Sequence, residues 1–286
     1  MNWSIRYRGA SRPSADTEGS ISDIPKNNMN WNERYAIAQI NWTMSPKLDS
    51  GEVYKNILGR VNNFYSQGGT VEIHHFNNKN FSADKDIAWD LKNQSDKLER
   101  SKTNSLAEEQ ANSSLRGLLL PYSQAYKKGK LPSAINYNFQ GDWKHYLLLA
   151  RDKDNNITAA LNAAHFPKTD ESVPMVSIGG VASVSPGHAS VLQHAMLHHI
   201  AGEQSGVMSQ VFNPTVNLSP RNPKKILPWS EEDQKQQDNA LRYHEGIGRR
   251  IEKSPNGNID SNWFLSDVKR LVRNTRTRTN VKHIYN

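Results

Sequence analysis

Two apolar runs, Tyr146 to Arg151 and Ile157 to Phe166, flank the polar stretch Asp152-Lys153-Asp154-Asn155-Asn156. Asparagine and aspartate enter the left-handed backbone region more readily than other chiral residues, so this cluster predicts a tight turn and two antiparallel strands. Any fold for the chain must accommodate that pair. Around it the hydrophobic period changes repeatedly. Val71, Ile73 and His75 alternate with Glu72 and His74, the pattern of a half-buried strand that starts at Thr70. Asp84 to Leu120 reads as a long helical region with Ile87, Leu91 and Leu98 on one face, a polar break at Asn112 to Ser114 and a stop at Pro121. Met175 to Val184 returns to strand character, and Gly179-Gly180 inside it predicts a bulge or a close backbone approach. A helix follows Pro186, with Leu192, Ala195, Met196 and His199 on one face and Gly202 as its stop. Val207 to Phe212 is a further strand.

Beyond that strand, Ser230 caps a helix whose first turn carries Glu231, Glu232 and Asp233 and which ends near Gly246 to Gly248. Arg249 to Glu252 and Ile259 to Leu265 are closing strands. Upstream, helices are expected near Asn32 to Trp42 and near Gly51 to Gln67; in the second, Val53, Ile57, Val61 and Phe64 recur at helical spacing before Gly68-Gly69. The first thirty residues are polar, with too little apolar surface to offset ordering entropy. The expected fold is therefore mixed α/β (α+β), with a mostly antiparallel central sheet flanked by helices. Residues 1–68 form a polar N-terminal segment and helical extension, 69–265 the main domain and 266–286 a basic C-terminal tail.

Composition closes several routes. The 286 residues include no cysteine, which excludes disulfides, thiolate metal sites and cysteine nucleophiles. No apolar run approaches the roughly 20 residues of a spanning helix; the densest patches, Leu118 to Leu120 and Leu147 to Ala150, are core-sized, and a soluble protein is expected. Met1 to Asp16 has no apolar core of a conventional signal peptide, so the expected location is the cytoplasm, or outside it by a nonclassical route. A net charge of +8 and a pI near 9.5 favour an anionic partner. Much of the excess lies in Lys269, Arg270, Arg273, Arg276, Arg278 and Lys282, which face the single acid Asp267.

The segment with most chemical content is Val181-Ala182-Ser183-Val184-Ser185-Pro186-Gly187-His188-Ala189-Ser190-Val191-Leu192, a strand running into a helix through small residues. Small residues allow a ligand to approach the backbone, and the amides at a helix start attract anions, phosphate above all. Three stretches together resemble the GNAT superfamily of acetyl-CoA-dependent N-acetyltransferases. The hairpin from His145 to Phe166 is similar to that family's paired central strands. Met175 to Leu192 is similar to its cofactor strand, phosphate turn and helix start, with Gly187-His188-Ala189 at the Gly-x-Gly/Ala end of the pyrophosphate motif and Val184 where a basic residue or glutamine is usual. Ala240-Leu241-Arg242-Tyr243-His244-Glu245-Gly246-Ile247-Gly248 resembles its Ala-x-x-Phe-Tyr-x-x-x-Gly helix end.

The resemblance implies an N-acyltransferase with acetyl-CoA as co-substrate and an amine of a protein or small molecule as acceptor. It implies a cofactor site at Val184, Gly187, His188, Ala189, Ser190 and Val191, with Tyr243 or His244 protonating the departing thiolate. By residue type alone, Glu72, Glu203 and Glu245 are candidate bases. Two histidine groups suggest other chemistry. His194 and His198 lie at i and i+4, but His-Ala-Met-Leu-His lacks the glutamate of the zinc-protease motif, so no metal is assigned and a structural role is expected. His74-His75, followed by Asn77 and Asn78, resembles a His-Asn nuclease site, which with the basic tail makes a nucleic-acid-binding protein or nuclease the alternative. A noncatalytic interaction protein on the same fold is the third reading.

Overall fold

The computed structural model describes residues 50–77, 82–130, 144–166, 174–202, 205–212, 244, 249–253, 259–274 and 280–285. The central turn forms as expected: Asn155 has φ 63°, the one positive φ among described chiral residues, and Asp152 Oδ1 accepts the amides of Asp154 and Asn156. The turn joins β2 (Lys144–Arg151) to β3 (Ile157–Phe166) in antiparallel register, with Leu148 opposite Leu161. On one side β1 (Thr70–Asn77) pairs antiparallel with β2, and on the other β4 (Met175–Ser183) pairs antiparallel with β3. The bulge expected at Gly179-Gly180 is present, because the β3–β4 register shifts between Asn162 and Ala163. A Cβ at Gly179 would stand 2.7 Å from Asn162 Oδ1, so a side chain there would require the Asn162 amide to move.

Three further strands follow β4 on one side, β5 (Gly206–Phe212), β6 (Arg250–Lys253) and β7 (Ile259–Trp263), and β8 (Val281–Tyr285) adds in parallel to β1. Among the described residues the result is one eight-stranded sheet in the order β6-β7-β5-β4-β3-β2-β1-β8. Only β4–β5 and β1–β8 are parallel, so the sheet is mostly antiparallel, as expected.

Helices cover both faces. On one lie α1 (Ser50–Ser66), α4 (His188–Ala201) and α5 (Leu265–Asn274); on the other lie α2 (Lys85–Arg100) and α3 (Leu106–Lys128). Alternation along the strands divides the core accordingly. Ile73, Tyr146, Leu148 and Leu161 pack under Val61, Phe64, Leu192 and Met196, while Phe76, Leu147, Leu149 and Ala160 pack under Leu91, Leu115, Leu119 and Tyr126.

Two sequence expectations are corrected. The long helical region breaks at residues 101–105 rather than at Asn112, because Ser105 caps α3: its Oγ accepts the Glu108 amide at 3.2 Å, and Glu108 Oε2 accepts the Asn104 amide at 2.7 Å. Asn112 instead ties the two helices, donating to Ser101 Oγ at 2.7 Å. Pro121 does not end α3, which runs on to Lys128. The turns beyond it are held by tertiary burial of Tyr122, Ala125 and Tyr126 and by the Ser123 hydroxyl on the Ala88 carbonyl at 2.7 Å, and packing of this kind outweighs one missing backbone donor. Within residues 266–286, expected as a basic C-terminal tail, lie most of α5 and the whole of β8. The helices expected near Asn32 and after Ser230 lie outside the described residues.

Candidate functional site

The sheet parts at its centre. β4 and β5 pair only through Met175, Val176 and Ser177 with Gly206, Val207 and Met208; β5 then continues along β7, and β4 runs from Ile178 to Ser183 with no strand on that side among the described residues. At the end of β4 the chain turns into α4.

That turn depends on Gly187, the N-cap of α4, whose φ of 84° strains any side chain. The Gly187 carbonyl accepts the amides of Ser190 (3.0 Å) and Val191 (3.2 Å), and Ser185 O accepts the His188 amide. Among the described residues, no protein acceptor takes the amides of Gly187 and Ala189. The Val184 amide is bound by Thr158 O at 2.9 Å, which continues the β3–β4 ladder. Of the six residues expected at a cofactor site, Gly187 and Ala189 thus present available donors, Ser190 is buried with its hydroxyl holding Arg60 over the turn, and Val184 and Val191 shape the turn.

Sequence reasoning missed Arg60. It projects from α1 over the turn, where Nη1 donates to Ser190 Oγ at 2.9 Å and Cγ stands 3.5 Å from where a Gly187 Cβ would be. No motif marks it, since it lies 130 residues from Ser190. The first turn of α4 contains no acid, so the Arg60 guanidinium sits at the positive end of the helix dipole with no carboxylate paired to it among the described residues. The arrangement invites an anion.

His188 closes the other side. The Thr158 hydroxyl donates to Ala150 O at 3.2 Å, so it accepts from His188 Nδ1–H at 2.7 Å, which places the proton on Nδ1. Burial lowers the His188 pKa, partly opposed by the Asp152 charge, and Phe64 packs edge-on to the ring at 4.9 Å.

His244 lies in a different setting. It is buried; its Nδ1 is 3.2 Å from Ser261 Oγ, which accepts Arg249 Nη1 at 2.8 Å, and Arg249 Nη2 reaches Gln193 Oε1 at 2.9 Å. The Arg249 guanidinium lies 4.2 Å over the Trp263 ring. Burial, then the Arg249 charge, pushes the His244 pKa well below its ordinary value, so the imidazole is neutral at pH 7. Tyr243, Glu203 and Glu245 lie outside the described residues.

The remaining candidates separate. His74 and His75 point to opposite faces of β1, as neighbours on a strand must. His74 Nδ1 meets the Tyr126 hydroxyl at 2.7 Å and its Nε2 lies 3.5 Å from Glu72 Oε2, whereas His75 stacks on Tyr285 and meets His283. They do not share one site. Glu72 is paired with Arg151 at 2.8 Å, and Arg151 also binds Asp90 at 2.6 Å. Burial raises the Glu72 pKa, but His74 and Arg151 outweigh it and hold it at about 2, which makes Glu72 a poor base. His194 and His198 face each other at 3.1 Å, and burial lowers the pKa of both. No described helix is long and apolar enough to cross a membrane.

The chain is a mixed α/β protein whose central sheet opens beside an anion-ready helix start. No family model matches it and no curated protein matches it. Among solved structures it is similar to a mutant of the toxin AtaT bound to the C-terminus of the antitoxin AtaR and acetyl-CoA, with a TM-score of 0.35 and 11% identity over 72% of this chain and 98% of that one. It is also similar to a mutant of spermidine N-acetyltransferase SpeG from Vibrio cholerae, with a TM-score of 0.28 and 10% identity over 71% of this chain and 96% of that one.

Proposed function

We propose that this chain is a GNAT-like acyl-CoA-dependent N-acyltransferase, with acetyl-CoA as co-substrate and an amine of a protein or small molecule as acceptor. One observation carries the reading: β4 leaves β5 just before a helix start where the Gly187 and Ala189 amides and the Arg60 guanidinium, held by Ser190, gather with no acid in the first turn. A pyrophosphate has the charge and the acceptor oxygens that this group of donors suits. The stretch of β4 beyond Ser177, where its pairing with β5 ends, then lies where the thioester would run.

In the reaction, the acceptor nitrogen attacks the thioester carbonyl carbon, the C–S bond breaks, and the sulfur leaves as a thiol once protonated. The protein's part is to align the two substrates and to deliver and accept protons. Tyr243 is our assignment for the acid. His244 is held neutral against Ser261 and Arg249, a setting that suits it to positioning the closing strands.

A thermal shift with acetyl-CoA, free CoA and a salt-matched nucleotide control tests the reading. A saturable rise with both CoA species is expected, worth about 2.7 kcal/mol at a hundredfold excess over Kd. It should vanish in Gly187→Glu and shrink in Arg60→Ala. Absence of any shift at millimolar ligand would sink the proposal.

A further inference from the structure

We propose that His75, His199 and His283 form a binding site for one divalent transition-metal ion of the zinc class, which ties the C-terminal strand to the sheet. The three come from β1, the last turn of α4 and β8, and one ring nitrogen from each lies within 4.8 Å of the other two. His75 Nε2 and His283 Nδ1 are 3.0 Å apart. Facing ring nitrogens of two neutral imidazoles share a single proton; for both to bind a metal, the donating ring moves that proton to its other nitrogen, so both ligands stay neutral and the ion takes the proton's place between them. In a tetrahedral zinc site with bonds of roughly 2.0–2.1 Å, ligand nitrogens stand about 3.3 Å apart. The nitrogens here reach that spacing by ring movements on the order of 1 Å.

Neighbouring groups favour the same occupant. The rings are already oriented: Tyr285 stacks on His75 at 4.3 Å and 19°, and Tyr146 packs edge-on to His75 at 5.5 Å and to His199 at 5.0 Å. His75 and His199 are half-buried and His283 is exposed, which leaves an entry path and a fourth coordination position for water. The C-terminal end of α4 carries the negative pole of the helix dipole and so favours a cation. Three imidazoles suit zinc, cobalt, nickel or copper, and they exclude calcium and magnesium, which require oxygen ligands.

The consequence is mechanical. β8 has five residues at the edge of the sheet, and Lys282, His283 and Tyr285 are exposed, so its own burial holds it weakly. An ion shared with β1 and α4 fastens it. The site lies eleven residues along α4 from His188, about 16 Å at the helical rise, and at the opposite end of that helix from Gly187. It stands whether or not the chain transfers acyl groups.

The experiment uses untagged protein stripped by chelator and titrated with Co2+, followed by its d–d absorption, and with Zn2+ by calorimetry. One ion per chain with the absorption of a tetrahedral site is expected. Loss of one ligand should weaken binding by at least the roughly 10–100-fold that loss of an outer-shell group causes. His283→Ala, an exposed change that leaves the core intact, should do so, and His198→Ala should not. Metal should also slow amide exchange across Val281–Tyr285 in the parent and not in His283→Ala. No binding at submillimolar metal, binding that survives His283→Ala, or binding lost in His198→Ala overturns the proposal.

Discussion

The two faces of the sheet treat their polar groups in opposite ways. Under α2 and α3, the groups answer one another: Tyr126, His74, Glu72, Arg151 and Asp90 form a continuous chain of contacts, and Ser123 is spent on a backbone carbonyl. Under α1, α4 and α5, Gln193, Arg249, Ser261 and His244 answer one another in the same way, but further polar groups collect at the two ends of α4, with Arg60 and Ser190 at the start and His75, His199 and His283 at the finish. The first face lies under the apolar layer of Leu91, Leu115 and Leu119, and its charges serve the fold. The second, besides its buried Arg249 network, has polar groups at two openings, one beside the parted strands and one beside a weakly held edge. A buried polar group signals function when its surroundings are open to an outside ligand, not simply because it is polar.

The largest effect that sharpens this contrast is on the closed face. Arg151→Ala leaves Glu72 and Asp90 without their guanidinium and should cost about 3 kcal/mol or more in urea unfolding, with the acetyl-CoA shift unchanged. A lost acetyl-CoA response in that variant would break the distinction between the faces. The same variant should change acid behaviour. Glu72 is held at about 2 against an ordinary 4.5, so its contribution is present above pH 4.5 and lost as pH falls towards 2; Arg151→Ala should flatten that part of the profile. On the open face, the CoA-dependent rise of about 2.7 kcal/mol at a hundredfold excess should disappear in Gly187→Glu.

An effect of intermediate size belongs to buried imidazoles on both faces. Burial lowers His145 and His194 from 6.5 to about 3, with the nearby His198 adding to the shift at His194. The unfolded chain therefore takes up protons that the folded one refuses, and stability should decline as pH falls from 6.5 towards 3. Calorimetric melting in His194→Leu should show a shallower decline, and an unchanged slope would remove His194 from the account. The smallest effect concerns the helix pair of the closed face. Ser105→Ala should cost about 1 kcal/mol through the lost cap, measured by denaturant midpoint, with no change in ligand or metal response.

Much of the sheet was legible because strands announce themselves locally. β2, β3, β4 and β5 lie where alternation and turn chemistry put them, and the Gly179 bulge follows from two glycines in a strand. The helix pair was misread because one strong apolar face continues across the Ser105 cap, and because Pro121 was weighed as a stop without the burial that carries α3 past it. The Gly187 turn itself was legible for the same local reason as the strands. Arg60 was not, since nothing around it in the chain differs from an ordinary surface arginine.

Residue order alone decided the hairpin, the Gly187 turn and the absence of thiol chemistry, since each depends on backbone preferences or side-chain types within a few neighbours. Tertiary structure decided which His of the His74-His75 pair faces which layer, that Arg60 reaches Ser190, and that residues 75, 199 and 283 meet. Those meetings depend on strand pairing and helix packing between segments far apart in the chain, and contacts of that range leave no period in the sequence from which to read them.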